Sequence, residues 1–290
     1  MVPVAPAPPV RGACLLAVLA HPDDESFGPG GTLAFYARNG VQVHLLCATR
    51  GEVGQVDPDL LRGYAGLGEL RENELRCAAA ILRLASVEFL GYRDSGMPGS
   101  PDNRHPQALA AAPTEAVAAQ ITNAIRRLRP QVVLTFDPIG GYQHPDHIAV
   151  HQATVLAFHG AGDPQQFPDG QTAFTPQKLY YHTFPRRALR VLVMLLRLFG
   201  RDPRRWGQNG DIDLAAIAAV DFPTHASIDV RSVAEAKRQA SACHASQGGS
   251  GGGRIGRWLS RLLGGRETFM RAHPPASGRV RERDLFEGVR

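Results

Sequence analysis

Short apolar segments alternate with helical segments along most of the chain, and this rhythm constrains the fold more than any other feature. The run from Cys14 to Ala20 is apolar without interruption, as a parallel strand buried on both faces requires. Gln131–Phe136 is a second strand-like segment, and helical patterns separate such segments. The alternation predicts an α/β fold of the Rossmann-like, doubly wound type, with a mostly parallel sheet and helices on both faces.

The predicted elements divide the chain into a core and several basic or flexible segments. Strands are predicted at 14–20, 41–47, 87–90, 131–136, 178–184 and 226–230, and helices at 31–39, 69–84, 114–128, 146–159 and 233–245. We predict a Pro-rich tail over 1–12, a catalytic α/β core over 13–185, a basic amphipathic helical subregion over 186–223, a returning strand and helix of the core over 224–247, and a Gly-rich linker with a basic C-terminal segment over 248–290.

The composition is that of a globular chain and excludes several other classes. Hydrophobic residues make up 43% and charged residues 20% of the 290 positions, so a collagen-like, coiled-coil or wholly disordered chain is excluded. The four cysteines form no C-x-x-C pair, which argues against a disulfide framework or a cysteine zinc knuckle. Because the apolar run to Ala20 is followed by polar residues rather than a cleavage site, we predict no secretion signal and a cytoplasmic location.

The net charge of +5 is concentrated in two places rather than spread over the chain. Seven arginines lie between Arg186 and Arg205, and a second basic stretch runs from Arg254 to Arg290, which leaves the remaining body mildly acidic. A locally basic chain of this kind gives no general indication of nucleic-acid binding. We therefore expect no nucleic-acid partner.

The residues that can carry chemistry follow two of the predicted strands directly. His21–Glu25 comes after the first strand, and Tyr142–His147 comes after the strand that ends at Phe136. In open α/β sheets ligands bind beyond the carboxyl ends of the strands. Imidazole and carboxylate are ligands for a divalent metal, and a catalytic zinc takes three of them and leaves one position for water. The two segments predict a metal site at this edge.

The spacing leaves two choices open. Asp23, Asp24 or Ser26 could instead cap the following helix, although two such clusters at strand ends favour the metal site. His147 and His151 are four residues apart on a predicted helix, a spacing that also places two imidazoles on one metal. From spacing alone, His144 and His151 are equal candidates as the partner of His147.

At these residues the sequence resembles the LmbE-like or PIG-L-type zinc N-deacetylases, which act on N-acetylglucosaminyl compounds. The two signatures are the sequences AHPDDE at Ala20–Glu25 and HPDH at His144–His147. Supporting matches are Thr49–Glu52, Arg71 with Glu74 and Leu75, Gly91–Met97, and the segment from Lys237 to Gln247. The resemblance is strong to about Phe184 and partial beyond it.

The resemblance implies a role for each matching residue. It suggests His21, Asp24 and His147 as metal ligands, Asp23 as general base, His144 as the group that faces the reacting carbonyl, Tyr142 as a mobile helper, and Asp146 as the residue that orients His144 and raises its pKa. Arg71 and Asp94 would bind sugar hydroxyls, and His244 would approach the substrate from the C-terminal region. His151 is then a residue of the helix face.

The function that the resemblance implies is metal-dependent removal of an N-acetyl group from an N-acetylglucosaminyl substrate. The metal would be Zn²⁺, although Fe²⁺ accepts the same ligands. One alternative is an amidase of the same family that cleaves a thiol-sugar conjugate of the mycothiol type. An alternative of another class is a noncatalytic protein that binds a sugar or a phosphoinositide headgroup.

The basic segments carry a separate prediction about partners. Arg186, Arg187, Arg190, Arg197, Arg201 and Arg204 fall within an arc of about 100° if residues 186–205 form one helix, and apolar residues fill the rest. Residues 254–263 repeat this design behind the Gly-rich linker. The apolar faces could pack on the body, on a second subunit of a homo-oligomer, or on an anionic membrane surface as a peripheral contact.

Overall fold

A seven-stranded mixed sheet with helices around it forms the body of the protein. The computed structural model describes residues 12–183, 186–205, 213–249, 265–276 and 280–290. The strands are β1 (Cys14–Leu19), β2 (Gln42–Thr49), β3 (Ser86–Tyr92), β4 (Val132–Phe136), β5 (Lys178–Thr183), β6 (Ala226–Asp229) and β7 (Arg266–His273). The helices are α1 (Asp24–Phe27), α2 (Gly30–Arg38), α3 (Leu67–Leu82), α4 (Thr114–Leu128), α5 (Gly140–Gln143), α6 (Pro145–Gly160), α7 (Arg186–Leu198), α8 (Leu214–Ala219) and α9 (Ala234–Cys243).

The strand order confirms the predicted α/β class. The order is β3-β2-β1-β4-β5-β7-β6, and the first five strands are parallel. β7 runs antiparallel to both β5 and β6. Because the chain winds outward from β1 in one direction and from β4 in the other, the connections diverge between these two strands, which is where such sheets bind ligands.

The apolar runs form the buried centre of the sheet, as predicted. Every residue of β1 and of β4 is buried, and Leu15, Leu16 and Leu134 are fully enclosed. A strand covered by helices on both faces buries the side chains of both faces, which is why these runs show no alternation. The polar exception in β4, Thr135, donates its hydroxyl to the carbonyl of Val18. The two strands that precede the signatures are therefore held side by side in the buried centre of the sheet.

One strand of the sheet was not predicted. Residues 248–290 were expected to be a linker and a basic segment, but β7 within this range pairs with both β5 and β6. Its apolar signal is weak because Glu267 takes a buried position. The Glu267 carboxylate accepts the backbone N–H groups of Gly31 and Thr32 and pairs with the Lys237 ammonium, so the strand is fixed to the start of α2.

The basic helix is shorter than predicted. α7 ends at Leu198, because Gly200 has a φ of 69° and the N–H of Arg201 bonds to the carbonyl of Leu196. This is a glycine-terminated helix end, which stops the helix before Pro203. The second basic stretch at 254–263 and the tail at 1–11 lie outside the described residues.

Two of the four cysteines are joined. Cys77 of α3 and Cys243 at the end of α9 form a disulfide with a Cα–Cα distance of 6.0 Å, a bridge that was not predicted. The sequence gives no indication of it, since 166 positions separate the two residues. Cys14 and Cys47 are free and buried. No helix in the described ranges has the length and apolar character needed to cross a membrane.

Candidate active site

The two signature segments meet at the carboxyl ends of neighbouring strands. β1 pairs with β4, so the loop after β1 lies beside the loop after β4. His21 follows β1 and Asp24 begins α1, while His144 immediately precedes α6 and His147 lies in its first turn. The sheet thus brings together side chains that are more than 120 positions apart in the sequence.

Donor atoms of three residues, His21, Asp24 and His147, lie close together, and both oxygens of Asp24 take part. His21 Nδ1 lies 3.2 Å from His147 Nε2, His147 Nε2 lies 3.3 Å from Asp24 Oδ1, and His21 Nδ1 lies 3.6 Å from Asp24 Oδ2. Ligand atoms that surround a zinc ion at 2.0–2.1 Å are separated by about 3.3 Å. The cluster of His21, Asp24 and His147 therefore fits a divalent cation in both donor type and spacing.

The other nitrogen of His21 is held by acids, which fixes the ring. Its Nε2 lies 3.1 Å from Asp146 Oδ2 and 3.5 Å from Asp94 Oδ1. Burial lowers the pKa of His21, but hydrogen bonds with Asp146 and Asp94 and the charge of Asp24 outweigh it and raise the pKa well above its usual value. Acids that bond the outer nitrogen of a ligand histidine orient its inner nitrogen toward the metal.

The Asp146 carboxylate is bonded to Ser95 and His21 rather than to His144, the residue that it was predicted to orient. The carboxylate accepts the N–H and the hydroxyl of Ser95 and contacts His21, whereas His144 is bonded to the backbone N–H of Asp146. Because His144 Nδ1 caps the start of α6 through that N–H, the carboxylate is turned toward His21 and Ser95. The expectation that the Asp146 carboxylate orients His144 is therefore replaced by orientation of His21.

His144 is a neutral hydrogen-bond donor in this arrangement. Burial, together with the nearby His21 and His147 rings, lowers its pKa to about 2, despite the opposing charge of Asp146. The surroundings of His144 therefore lower its pKa, in contrast to the predicted rise. Since Nδ1 accepts the Asp146 N–H at 3.2 Å, the proton of the neutral ring lies on Nε2. His144 can donate from that atom without being charged.

Asp23 stands apart from the three converging donors. It is not a helix cap, because its side chain makes no capping hydrogen bond to α1. One oxygen lies 3.2 Å from the Arg71 guanidinium, and burial raises the pKa of Asp23 to about 7, although the charge of Arg71 opposes the rise. A carboxyl group with a pKa near neutrality can take up and release a proton at physiological pH.

Tyr142 lies over the histidine cluster. Its ring centroid is 4.9 Å from that of His147 and 5.8 Å from that of His144. The backbone departs from helical geometry at Gly141 and Tyr142, so α5 is a kinked turn rather than a regular helix. The ring also packs against the apolar cluster formed by α7 and α8. The mobility suggested for Tyr142 stays a prediction.

The residues predicted to bind substrate are engaged with the protein. The guanidinium of Arg71 bonds to the carbonyls of Gly51 and Pro22, and Gly51 is required there because a Cβ would lie 2.2 Å from it. Asp94 accepts the N–H groups of Gly96 and Val53. Both side chains are buried at the edge of the cluster, and their contact with substrate stays a prediction.

His244 lies behind the Asp23 loop. It is fully buried, and its Nε2 lies 2.7 Å from a carboxylate oxygen of Glu25. Burial lowers the pKa of His244, but the hydrogen bond and charge of Glu25 raise it above the usual value. A side chain without exposed surface does not line an open substrate site in this structure, in contrast to the predicted role of His244.

Two residues of the site, Glu25 and Ser95, were not predicted from the sequence. The structure also shows where His151 lies. Glu25 belongs to the first signature and Ser95 follows Asp94, so adjacency was the available signal for both. His151 Nδ1–H donates to the carbonyl of Phe136 at 2.9 Å, and the ring packs on Tyr181. It therefore lies on the face of α6 that covers the sheet. Of the two histidines that the spacing left open, it is His144 that lies in one cluster with His21 and His147.

Comparison with known proteins identifies the family. The family model described as PIG-L, GlcNAc-PI de-N-acetylase, matches residues 16–158. A curated relative from Acidothermus cellulolyticus, a 1D-myo-inositol 2-acetamido-2-deoxy-alpha-D-glucopyranoside deacetylase, is 38% identical over 290 aligned positions that cover 95% of this chain and 94% of its own. The chain belongs to the PIG-L family. It is an N-deacetylase, an enzyme that hydrolyses amide bonds.

Solved structures show how widely this fold is used. N,N'-diacetylchitobiose deacetylase from Pyrococcus horikoshii superposes with a TM-score of 0.61 at 20% identity, covering 89% of this chain and 83% of its own. The 4-carboxy-2-hydroxymuconate hydratase GalB from Pseudomonas putida KT2440 superposes with a TM-score of 0.58 at 19% identity, covering 92% of this chain and 98% of its own. A deacetylase and a hydratase thus share the PIG-L fold, so the chemistry must be argued from the side chains.

Proposed function

We propose that this chain hydrolyses the N-acetyl amide of 1D-myo-inositol 2-acetamido-2-deoxy-α-D-glucopyranoside in the cytoplasm. Water adds to the acetyl carbonyl, the carbon–nitrogen bond breaks, and acetate and the free amino sugar are released. The observation that carries the proposal is the convergence of His21, Asp24 and His147 within 3.2–3.6 Å, beside a carboxylate that takes no part in it. The end-to-end likeness to curated deacetylases supports the choice of substrate.

We propose zinc as the cation, held by His21, Asp24 and His147. Two imidazoles and one carboxylate are a common donor set for catalytic zinc. A bound divalent cation polarises a carbonyl and lowers the pKa of water toward about 7. The Asp146 and Ser95 pair supports the His21 ligand from outside and keeps its Nδ1 turned toward the other donors.

The remaining groups divide the proton transfers and the charge stabilisation between them. Asp23 takes the proton of the attacking water and returns it to the departing amine. His144 donates its Nε2–H to the oxygen that gains negative charge, which a neutral ring can do because Nδ1 is occupied by a backbone N–H. Arg71 keeps the Asp23 carboxylate in place through its 3.2 Å contact.

The test is release of a primary amine from the purified protein with synthetic N-acetylglucosaminyl-inositol. We expect turnover that stops when a chelator removes the metal and returns when zinc is added. A thiol-sugar conjugate, in which a larger thiol-containing acyl group replaces the acetyl group on the sugar nitrogen, tests the mycothiol-type amidase in the same assay. Faster cleavage of the conjugate would favour that alternative, and amine release from neither compound would favour a noncatalytic binding protein.

An exposed apolar surface on α7 supports a further proposal about partners. One side of the helix packs with α8, where Val193, Leu196 and Ile217 are buried together. On another side, Leu198 is 74% exposed and Met194 is 60% exposed. Phe199, which follows the helix, is 75% exposed. We name this the α7 surface and define it as Val191, Met194, Leu195, Leu198 and Phe199.

The charge beside the α7 surface favours an anionic partner. Arg197 lies on the neighbouring strip of the helix, and Arg201 and Arg204 follow it, whereas Arg190 on the same strip is paired with Asp221. A second copy of the chain would bring like charges together across a twofold interface, whereas a lipid surface accepts apolar side chains edged by arginine. We propose that the α7 surface binds anionic membranes.

Cosedimentation with phosphatidylglycerol vesicles at low salt tests the membrane proposal. We expect the unaltered chain to sediment with these vesicles but not with phosphatidylcholine vesicles, and we expect Leu198→Ser with Phe199→Ser to abolish sedimentation. Deacetylation of the water-soluble substrate should be unchanged by the double substitution. Absence of binding to the anionic vesicles, or dimers in size-exclusion chromatography that the double substitution disrupts, would contradict the proposal.

A further inference from the structure

Asp23 has a backbone conformation that an aspartate rarely adopts. Its φ is 127° and its ψ is −30°, outside the regions favoured for residues with a Cβ. Such a conformation costs about 1–3 kcal/mol and persists only where the surroundings hold it. The position of the Asp23 carboxylate therefore depends on the contacts of its backbone as well as on those of its side chain.

The backbone of Asp23 is held by the buried carboxylate of Glu25. The N–H of Asp23 donates to Glu25 Oε2 at 3.0 Å, and the Glu25 side chain has no exposed surface. A carboxylate that reaches back over two residues to a backbone N–H fixes the turn between them. The hydrogen bonds of Glu25 in the described structure join it to the Asp23 N–H, the Ser26 hydroxyl and the His244 ring, so they serve the Asp23 turn rather than the converging donors.

Glu25 is in turn held by a histidine from the other end of the sequence. His244 Nε2 donates to Glu25 Oε1 at 2.7 Å, and both side chains are fully buried. His244 directly follows α9, which the Cys77–Cys243 bridge joins to α3. Ser246 is also bonded to Glu74 of α3 through its N–H and its hydroxyl. The chain on both sides of His244 is thus tied to α3, while Nδ1 of its ring has no hydrogen-bond partner among the described residues.

The same helix α3 reaches Asp23 from the opposite direction. Arg71 of α3 contacts the Asp23 carboxylate at 3.2 Å and the carbonyl of Pro22 at 2.7 Å. The side chain of Asp23 is therefore held by α3, whereas its backbone is held through Glu25 by the residue after α9. α3 and α9, which the disulfide joins, thus hold the side chain and the backbone of Asp23 respectively.

We infer that Glu25 and His244 are positioning residues, which hold the Asp23 backbone in its left-handed conformation so that the carboxylate faces the reacting centre. This inference rests on the proposed function of Asp23 as general base. It reassigns His244 from contact with substrate to support of the base. A small displacement of a catalytic group costs up to about 10²-fold in rate, which sets the expected size of the effect.

The test compares His244→Phe, which fills the site but removes the donor, with His244→Gln, which keeps an N–H donor. We expect His244→Phe to lower kcat by about 10²-fold with KM and zinc content nearly unchanged, and His244→Gln to restore most of kcat. Hydrogen exchange of the peptide that contains Asp23 should become faster in His244→Phe and not in His244→Gln, since the bond to Glu25 is lost only in the former.

Glu282→Gln is the matched control for a loss of stability. Glu282 is a buried acid that pairs with Lys178 and Tyr180, outside the proposed site, so its replacement should lower the melting temperature without changing kcat or the exchange near Asp23. An active parent protein with an unchanged kcat in His244→Phe would overturn the inference. A parent protein without deacetylase activity would overturn the proposed function instead, while the exchange measurement would still test whether His244 holds the Asp23 turn.

Discussion

Asp23→Asn is expected to lower kcat by about 10²- to 10⁴-fold while the protein still binds one equivalent of zinc. Asparagine preserves the size of the side chain and its contact with Arg71 but does not accept a proton. Asparagine also tolerates a positive φ better than most residues, so the turn should survive the substitution. Steady-state kinetics and metal analysis of the same preparation measure the two quantities together.

Asp24→Asn is the matched control, because the two acids are adjacent, the substitution is the same, and their carboxylates face different groups. Asp24 lies 3.3 Å from His147 Nε2 and belongs to the converging donors, whereas Asp23 does not. We expect both variants to lose activity but only Asp24→Asn to lose zinc affinity. Undiminished turnover in Asp23→Asn would remove Asp23 from the chemistry, and loss of zinc in that variant would place it among the ligands.

His147→Ala should weaken zinc binding by more than the roughly 10- to 100-fold that substitution of an outer-shell partner costs. The reason is that His147 Nε2 is a donor atom, 3.2 Å from His21 Nδ1 and directed at the same point. Activity should fall with the bound metal and return in part at high zinc concentration. Competition with a chromophoric chelator measures the affinity.

His151→Ala provides the comparison on the same helix. Its ring is bonded to the Phe136 carbonyl at 2.9 Å and lies on the covered face of α6, so its removal should lower the melting temperature and leave the zinc affinity unchanged. If His151→Ala lost the metal and His147→Ala retained it, the roles of the two histidines would be exchanged and the proposed ligand set would be wrong.

The fold and the place of the site could be predicted from the sequence where a local pattern is compatible with a single structure. The apolar runs of β1 and β4 predict buried parallel strands, and the polar residues that follow them must lie at the same edge of the sheet. The order of the strands then places His21 beside His147 without further information. β7 gave no such pattern because Glu267 takes a buried position for which an apolar residue would have been expected.

The directions in which individual side chains point could not be predicted from the sequence. Asp146 and His144 are two positions apart, which suggested a contact between their side chains, but the structure joins the backbone of one to the ring of the other. The Asp146 carboxylate instead accepts a hydrogen bond from Ser95, which is 51 positions away in the sequence. His244 was expected at the substrate, and its burial against Glu25 depends on how α9 packs, a property that no local spacing encodes.

The place of β7 has a consequence for the biosynthesis of the protein. β6 is complete by residue 229, yet its only strand partner in the described sheet is β7, which spans residues 266–273. During translation β6 must therefore wait, unpaired, while more than thirty further residues are added, and β5 keeps an open edge for even longer. A nascent chain with two unsatisfied strand edges is prone to associate with other chains, so we expect ribosome-bound chaperones to matter most in this interval.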